Sequence, residues 1–232
     1  MKAINLFSII VVLIVVLSAC NQKSSSFSSN AKVNSEADTV ALSVGYTLGG
    51  NLKKQFGDVN PELVAQGLIA AFNDEKNPLF EKEQEADVVI RAYLRKESER
   101  AAERNLKAGQ EFLEENAKRE GITVTESGLQ YEVEKEGEGA KPTATSTVKV
   151  HYHGTTIDGE VFDSSVERGE PIEFPLNGVI KGWTEGLQLM SVGSKYKFYI
   201  PSDLAYGARG AGGNIGPNSA LIFEVELISI VE

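Results

Sequence analysis

The sequence predicts an α+β protein: a helical N-terminal region ending in a long connecting helix, then a strand-rich C-terminal domain. Three observations carry this. Apolar residues recur at helical spacing between Ser35 and Arg119. From Val148 the period becomes two, with Val148, Val150 and Tyr152 on one side of a strand and Lys149, His151 and His153 on the other. Glycines and aromatics then cluster, with Asp158-Gly159 as a hairpin signal. A length of 232 residues suits one or two domains. A net charge of −10 argues against a nucleic-acid partner, because phosphate contacts need a basic face.

The chain opens with Met1-Lys2 and an apolar run from Ile4 to Leu17, shorter than the roughly 20 residues of a spanning helix. Leu17-Ser18-Ala19-Cys20 then places small residues before a cysteine. This resembles the lipobox of a bacterial lipoprotein. The resemblance implies a leader over residues 1–19 and a lipidated Cys20 that anchors the protein to a membrane, more than one acyl chain sufficing. A plain signal peptide or an anchor helix is the alternative. Cys20 is the sole cysteine, so no disulfide forms within the chain. Residues 20–35, rich in Ser, Asn, Gln and Lys, read as a flexible tether. Asn21 stands where an inner-membrane retention signal usually has Asp. That implies the cell envelope, at the outer membrane facing the periplasm.

Residues 36–120 read as three helices. Val40, Val44, Leu48 and Leu52 recur every fourth residue from about Glu36 to Phe56, with Ser35 or Asp38 as cap. Gly45, Gly49 and Gly50 weaken that helix unless another helix approaches closely there; a weak or broken helix is the alternative. Asn60-Pro61 opens a second helix with Val64, Leu68, Ala71 and Phe72 on one face, ending near Asn73 before Asn77-Pro78. Helices this short need a partner chain or a third helix. The third is predicted from about Phe80 to Arg119, apolar at Ala86, Val89, Ile90 and Tyr93, nearly bare from Arg95 to Gln110 except for Leu106, and apolar again at Phe112, Leu113 and Ala117, where a globular domain begins. A helix polar all round bridges domains through solvent, and here acts as a rod. A surface helix packed along its length is the alternative.

Residues 121–232 read as the second domain: a strand over Thr123–Glu134 turning at Gly128, a polar loop over Glu136–Thr147, the strand at Val148, strands at Tyr196–Ile200 and Ala220–Val231, and a long loop over Pro201–Ser219. Five motifs within it stand in order: Val150-His151-Tyr152, Phe162-Asp163-Ser164-Ser165, Val179-Ile180-Lys181-Gly182-Trp183, Ala205-Tyr206-Gly207 and Leu221-Ile222-Phe223-Glu224-Val225-Glu226-Leu227. They resemble the FKBP-type peptidyl-prolyl cis-trans isomerases. The resemblance implies a half-open antiparallel sheet (a half-barrel) wrapped around a short helix. The region from Glu36 to Gly128-Leu129-Gln130-Tyr131 is similar to the helical domain of two-domain FKBP lipoproteins of the macrophage infectivity potentiator type. It implies a homodimer through residues 36–90.

Carried over by motif position, Tyr152, Phe162, Asp163, Ile180, Trp183, Tyr206 and Phe223 would be the catalytic set. Phe174, Val179, Ile172, Ile215 and Arg168 would bind substrate, with Arg168 against Asp163 or Tyr152. Trp183 would floor the pocket under the prolyl ring, Tyr152, Phe162 and Phe223 would wall it, and Asp163 would accept a hydrogen bond. The Ile180 N–H and the Tyr206 hydroxyl would hold substrate carbonyls. The implied partners are proline-containing unfolded or exported polypeptides, and macrolide inhibitors as ligands of the same pocket. No cofactor is implied. Taken singly, Trp183, Phe174 and Phe223 could be core, and Asp163-Ser164-Ser165 a helix cap; the ordered set favours a pocket. His151 and His153 lie two apart on a strand, yet no third ligand in the motif completes a metal site, and the pair reads as a solvated face. A binding module, gripping unfolded clients as a chaperone, is the competing class.

Overall fold

Ser35 starts the first helix by accepting, on Oγ, the N–H of Asp38 at 3.1 Å, while the Asp38 carboxylate accepts the N–H of Asn34 at 2.9 Å. These bonds serve donors at the helix entrance and hold the Asp38 carboxyl below its usual range. The computed structural model describes residues 32–57, 59–75, 79–80 and 82–231. The expected leader, Cys20, most of the tether and the Asn77-Pro78 stop signal lie outside the described residues.

Helix α1 is Glu36–Phe56, as the apolar period predicts, and stops at Gly57 with φ 58°. Val40, Val44 and Leu48 are exposed along it, and α1 buries no residue. A methyl group built at Gly45, Gly49 or Gly50 meets open space among the described residues. Helix α2 is Pro61–Phe72, capped by Asn60 Oδ1, which accepts from the N–H groups of Glu62 and Leu63 at 2.8 and 3.1 Å. Internal packing divides the chain after Gln66, inside α2.

Helix α3 is Glu83–Asn116, three residues shorter at each end than its polar pattern suggests. Lys82 is extended at φ −139°. Past Asn116 the turn tightens, with Lys118 and Arg119 N–H donating to Glu115 and Asn116 carbonyls, and Gly121 at φ 87° turns the chain away. The expected solvent-bridging middle is also corrected. From Ala102 onward α3 docks on the sheet domain. Gly109 is buried, and a methyl group there would sit 3.0 Å from Ala220 Cβ. Asn105 Nδ2 donates to the Pro217 carbonyl at 2.9 Å. Asn116, 3 % exposed, donates to Gln130 Oε1 at 2.8 Å, and Gln130 Nε2 donates to the Leu113 carbonyl at 2.9 Å. Within the bare stretch, small and amide side chains make this contact, and they carry too little apolar area to register as a hydrophobic face; further on, the Phe112 ring meets that of Tyr199, with centroids 6.0 Å apart.

Strands β1 (Ile122–Val124) and β2 (Gln130–Lys135) form the predicted turn at Gly128. Then come β3 (Thr147–Thr156), β4 (Val161–Ser164), the single turn α4 (Ser165–Arg168) and β5 (Ile172–Pro175). Helix α5 (Lys181–Leu189), β6 (Lys195–Ile200) and β7 (Leu221–Val231) complete the domain. The sheet is antiparallel, in the order β1-β2-β6-β7-β3-β4, with β5 also on β3. Strand β3 is its spine. It pairs with β7 from Thr147↔Val231 to Thr156↔Leu221, and with β5 and then β4 on its other edge. Val148, Val150 and Tyr152 face the core, as the alternation requires.

Helix α5 presses its small residues onto this sheet. A methyl group at Gly182 would lie 2.6 Å from Ile200 Cγ2, and one at Gly186 2.6 Å from Phe198 Cε1. The approach seats Trp183 and Leu187 in a core with Met190, Phe198, Ile200, Leu221, Val225 and Leu227. Because Phe198 is fully buried, it has little room to yield. Gly186→Ala is expected to cost about 1–3 kcal/mol by overpacking, read as a lowered urea midpoint for the sheet domain. An unchanged midpoint would mean that α5 lies further off.

Candidate active site

The alternation of β3 and β7 aims Tyr152 and Phe223 at the same side of the sheet that α5 covers. There they meet Trp183, the third residue of α5. Ring centroids of Tyr152, Phe223 and Phe174 lie 5.2, 5.1 and 5.2 Å from the indole, the first two edge-on at 78° and 76°. Phe162 stands edge-on to Phe223 at 5.3 Å. Such edge-to-face pairs are favoured by the ring quadrupoles. The Trp183 Nε1–H is buried and finds no acceptor among the described residues.

These rings bound a cleft of about 790 Å³, within the range of ligand pockets. Val179, Ile180, Ile172 and Phe174 line one part of it, and Tyr206 with Ala211–Ile215 of the long loop lines another. The structure therefore brings Tyr152, Phe162, Asp163, Ile172, Phe174, Val179, Ile180, Trp183, Tyr206, Ile215 and Phe223 together. Ile180 is the N-cap residue of α5, extended at ψ 149°. Its carbonyl accepts from the N–H groups of Trp183 and Thr184.

Arg168 is the predicted residue that does not line the cleft. It ends α4, where Gly169 at φ 77° turns the chain, and reaches back behind the wall. One guanidinium nitrogen donates to Asp163 Oδ1, and the other donates to the Tyr152 hydroxyl at 2.9 Å. The Tyr152 hydroxyl in turn donates to Asp163 Oδ2. Burial alone would raise the Asp163 carboxyl. The hydrogen bonds from Tyr152 and Arg168, and the guanidinium charge, outweigh it and hold the group below the usual carboxylate range. Burial, with the Asp163 hydrogen bond, pushes the Tyr152 hydroxyl up; burial, with the Asp163 charge, does the same to Tyr206.

Asp163-Ser164-Ser165 is cap and wall at once. Ser164 Oγ accepts the Glu167 N–H at 3.1 Å, capping α4, and Ser165 Oγ accepts the Tyr152 N–H at 2.8 Å. His151 and His153 are half-buried beside them rather than solvated. Their Nδ1 atoms lie 3.1 Å from Ser165 Oγ and 3.0 Å from Ser164 Oγ, because β4 runs along the edge of β3 at that register.

Gly154 escapes the sequence reading. A methyl group there would lie 2.7 Å from Phe162 Cε2 and 2.8 Å from Phe223 Cε1, so a bare Cα is what lets those two rings close on the cleft. A glycine inside an alternating strand was the available signal. Among the described residues Asp163 is the only carboxylate on the lining, and two donors occupy it. The arrangement can enclose an apolar ring and orient carbonyls.

An aromatic cleft between a half-open antiparallel sheet and a short helix, behind a helical region, defines a class that comparison with known proteins makes specific. Residues 138–228 match the family model "FKBP-type peptidyl-prolyl cis-trans isomerase", and residues 37–133 match "Domain amino terminal to FKBP-type peptidyl-prolyl isomerase". The FKBP-type peptidyl-prolyl cis-trans isomerase FkpA of Aeromonas hydrophila is 42 % identical, over 92 % of this chain and 89 % of its own. The FKBP-type 22 kDa peptidyl-prolyl cis-trans isomerase of Escherichia coli K12 is 49 % identical, over 84 % and 97 %. Outer membrane protein MIP of Legionella longbeachae is 44 % identical, over 85 % and 87 %. The crystal structure of FkpA from Escherichia coli superposes with a TM-score of 0.65 at 36 % identity, covering 86 % of this chain and 98 % of that one. The chain belongs to the FKBP-type peptidyl-prolyl cis-trans isomerase family.

The Asp163 carboxyl sets a pH prediction. A carboxyl with a depressed pKa contributes its stabilisation above the ordinary value, about 3.9, and loses it as pH falls through the depressed one. Asp163 should therefore titrate below about 3.9 by carboxyl NMR, and in Arg168→Leu the titration should move upward. A wild-type midpoint above the ordinary value would contradict the Tyr152–Asp163–Arg168 arrangement.

Proposed function

We propose that the cleft is the isomerase site and that it works by binding a twisted Xaa-Pro amide more tightly than a planar one. The observation that carries this is the convergence of five aromatic rings on one cleft whose single carboxylate is already engaged. Rotation about an amide is opposed by about 18–20 kcal/mol of resonance, and no bond to another atom need break. Twisting the amide diminishes its charge separation, so an apolar enclosure disfavours the planar form relative to the twisted one. In this reading Trp183 lies under the prolyl ring, and Tyr152, Phe162 and Phe223 surround the rotating carbonyl. Asp163, braced by Arg168, accepts a hydrogen bond without transferring a proton. The Ile180 N–H and Tyr206 hydroxyl hold flanking carbonyls, and Phe174, Val179, Ile172 and Ile215 complete the contact. The same enclosure suits a macrolide inhibitor.

We further propose that the substrates are exported polypeptides and that the protein also acts as a chaperone. The organisation we propose is a leader over residues 1–19, a lipidated Cys20 with tether to residue 35, a helical dimerisation region over 36–120 and an isomerase domain over 121–232. The Legionella relative's name, an outer membrane protein, supports a cell-envelope location there. A homodimer through residues 36–90 is supported by apolar side chains left exposed in the single chain: Val40, Val44, Leu48, Leu68, Val89 and Ile90.

Cis-to-trans relaxation of a short Xaa-Pro peptide tests the site. The chain from Asn21 should accelerate it, and Trp183→Ala or Asp163→Leu, folded by circular dichroism, should lose at least about tenfold, roughly 1.4 kcal/mol of transition-state stabilisation. Wild-type relaxation at the buffer rate would leave a binding module, and chaperone action would become the leading reading.

Sedimentation tests the dimer. The same chain should run as a dimer at micromolar concentration, and Gly49→Ala should weaken it. An isolated helix would instead gain roughly 0.5–1 kcal/mol from that change. A wild-type monomer rejects the dimer.

A further inference from the structure

We propose that Asn105, on α3, is a positioning residue of the pocket: it holds the flap, residues 210–219, against the helix and so fixes the wall that Ala211–Ile215 present to substrate. The inference rests on reading the cleft as the prolyl site. The Asn105 amide makes two long-range bonds, from Nδ2 to the Pro217 carbonyl at 2.9 Å and to Ser219 Oγ at 3.3 Å. A return bond runs from Asn218 Nδ2 to the Ala102 carbonyl, one turn earlier on α3, at 3.4 Å. Asn218 adopts φ 56°, a left-handed conformation that asparagine tolerates better than most residues.

The flap is shaped to receive this amide. A methyl group at Gly216 would lie 2.9 Å from Asn105 Nδ2, so any side chain there would push the amide away. The flap is also tied to itself. The Ala211 N–H donates to the Ile215 carbonyl, the Ile215 N–H donates to the Gly212 carbonyl, and the Asn218 N–H donates to the Gly207 carbonyl. These bonds close the loop on itself, so an anchor at its base bears on the position of its tip. At the tip, the side-chain bond from Asn214 Nδ2 to the Val161 carbonyl is long, at 3.5 Å. The firmer hold is at the base, on α3. The connecting helix thereby takes part in substrate binding, although none of its described residues lines the cleft.

The test uses the chain from Asn21 with an Ala-Leu-Pro-Phe peptide as probe. Asn105→Asp keeps the shape but replaces the donor with an oxygen facing the Pro217 carbonyl. KM should rise about fivefold or more with kcat within about twofold, the pattern of lost substrate binding. Hydrogen exchange at the Ala211 and Ile215 amides should quicken at least about tenfold, while the β7 amides exchange as before. Asn105→Ala, which removes the amide at a helical position that alanine suits, should move both readouts the same way and decides the matter if Asn105→Asp does not fold. Wild-type KM and flap exchange in the variants would overturn the proposal, as would equal acceleration in β7, which signals general loosening. If the unaltered chain fails to turn over the peptide, the prolyl reading falls. Flap exchange then decides the role of Asn105 alone, and unchanged exchange rejects it.

Discussion

The close approach of α5 to the sheet is the constraint on which the rest of the domain depends. Two glycines one turn apart, Gly182 and Gly186, remove the side chains that would meet Ile200 and Phe198. Only then can Trp183 sink until it is 6 % exposed, with Tyr152, Phe174 and Phe223 about its ring. The sheet contributes the complementary gap. At Gly154 the pleat carries no side chain, and Phe162 and Phe223 close over the vacant position. Core and cleft are thus continuous: aliphatic side chains and Phe198 pack beneath, and the aromatic rings above them open at one side. Their substitutions should rarely separate stability from activity.

The polar part of the site is secured differently. Tyr152, Asp163 and Arg168 sit on β3, β4 and α4, three successive pieces of chain, and each hydrogen-bonds the other two. Ser164 and Ser165 fasten the same turn to α4 and to the β3 backbone, with the two histidines leaning on them. Asp163 and Arg168 are nearly half exposed, so their attraction is screened and adds little to stability as an isolated pair. Its effect is orientation: the carboxylate stays ionised, and the Tyr152 hydroxyl is fixed between an anion and a cation.

Much of this was legible in the chain. Alternation on β3, the Asp-Gly hairpin and the five ordered motifs placed both the strands and the lining residues, and Ser35 and Asn60 marked two helix starts. Two kinds of feature were not legible. One is contact made by small or amide side chains. The docking face of α3 begins with Asn105 and Gly109, which hydropathy scores as bare, so that stretch read as a free rod; only the apolar end, where Phe112 meets Tyr199, was legible as a domain contact. The other is contact between residues distant in sequence. Arg168 contacts Asp163 and Tyr152 as expected, but the turn at Gly169 leaves it behind the wall and off the cleft lining, where a substrate contact was expected. His151 and His153 read as solvated until β4 lies beside them.

On the proposed reading Trp183 floors the cleft, and its buried indole N–H bears on how that floor treats an amide. It finds no acceptor among the described residues, and an unsatisfied buried donor costs about 1–3 kcal/mol. A hydroxyl or amide nearby would relieve that cost, but would also place a dipole beneath the substrate ring. Such a dipole would stabilise the planar, charge-separated amide along with the twisted one, and binding energy spent equally on both gives no acceleration. In the proposed binding mode the polar groups, Asp163 and Tyr206, stand apart from the indole on the cleft lining and hold the peptide without solvating the bond that turns. On the proposed reading, the floor brings no acceptor and no second dipole to the amide, and what remains polar there is a single N–H without an acceptor among the described residues.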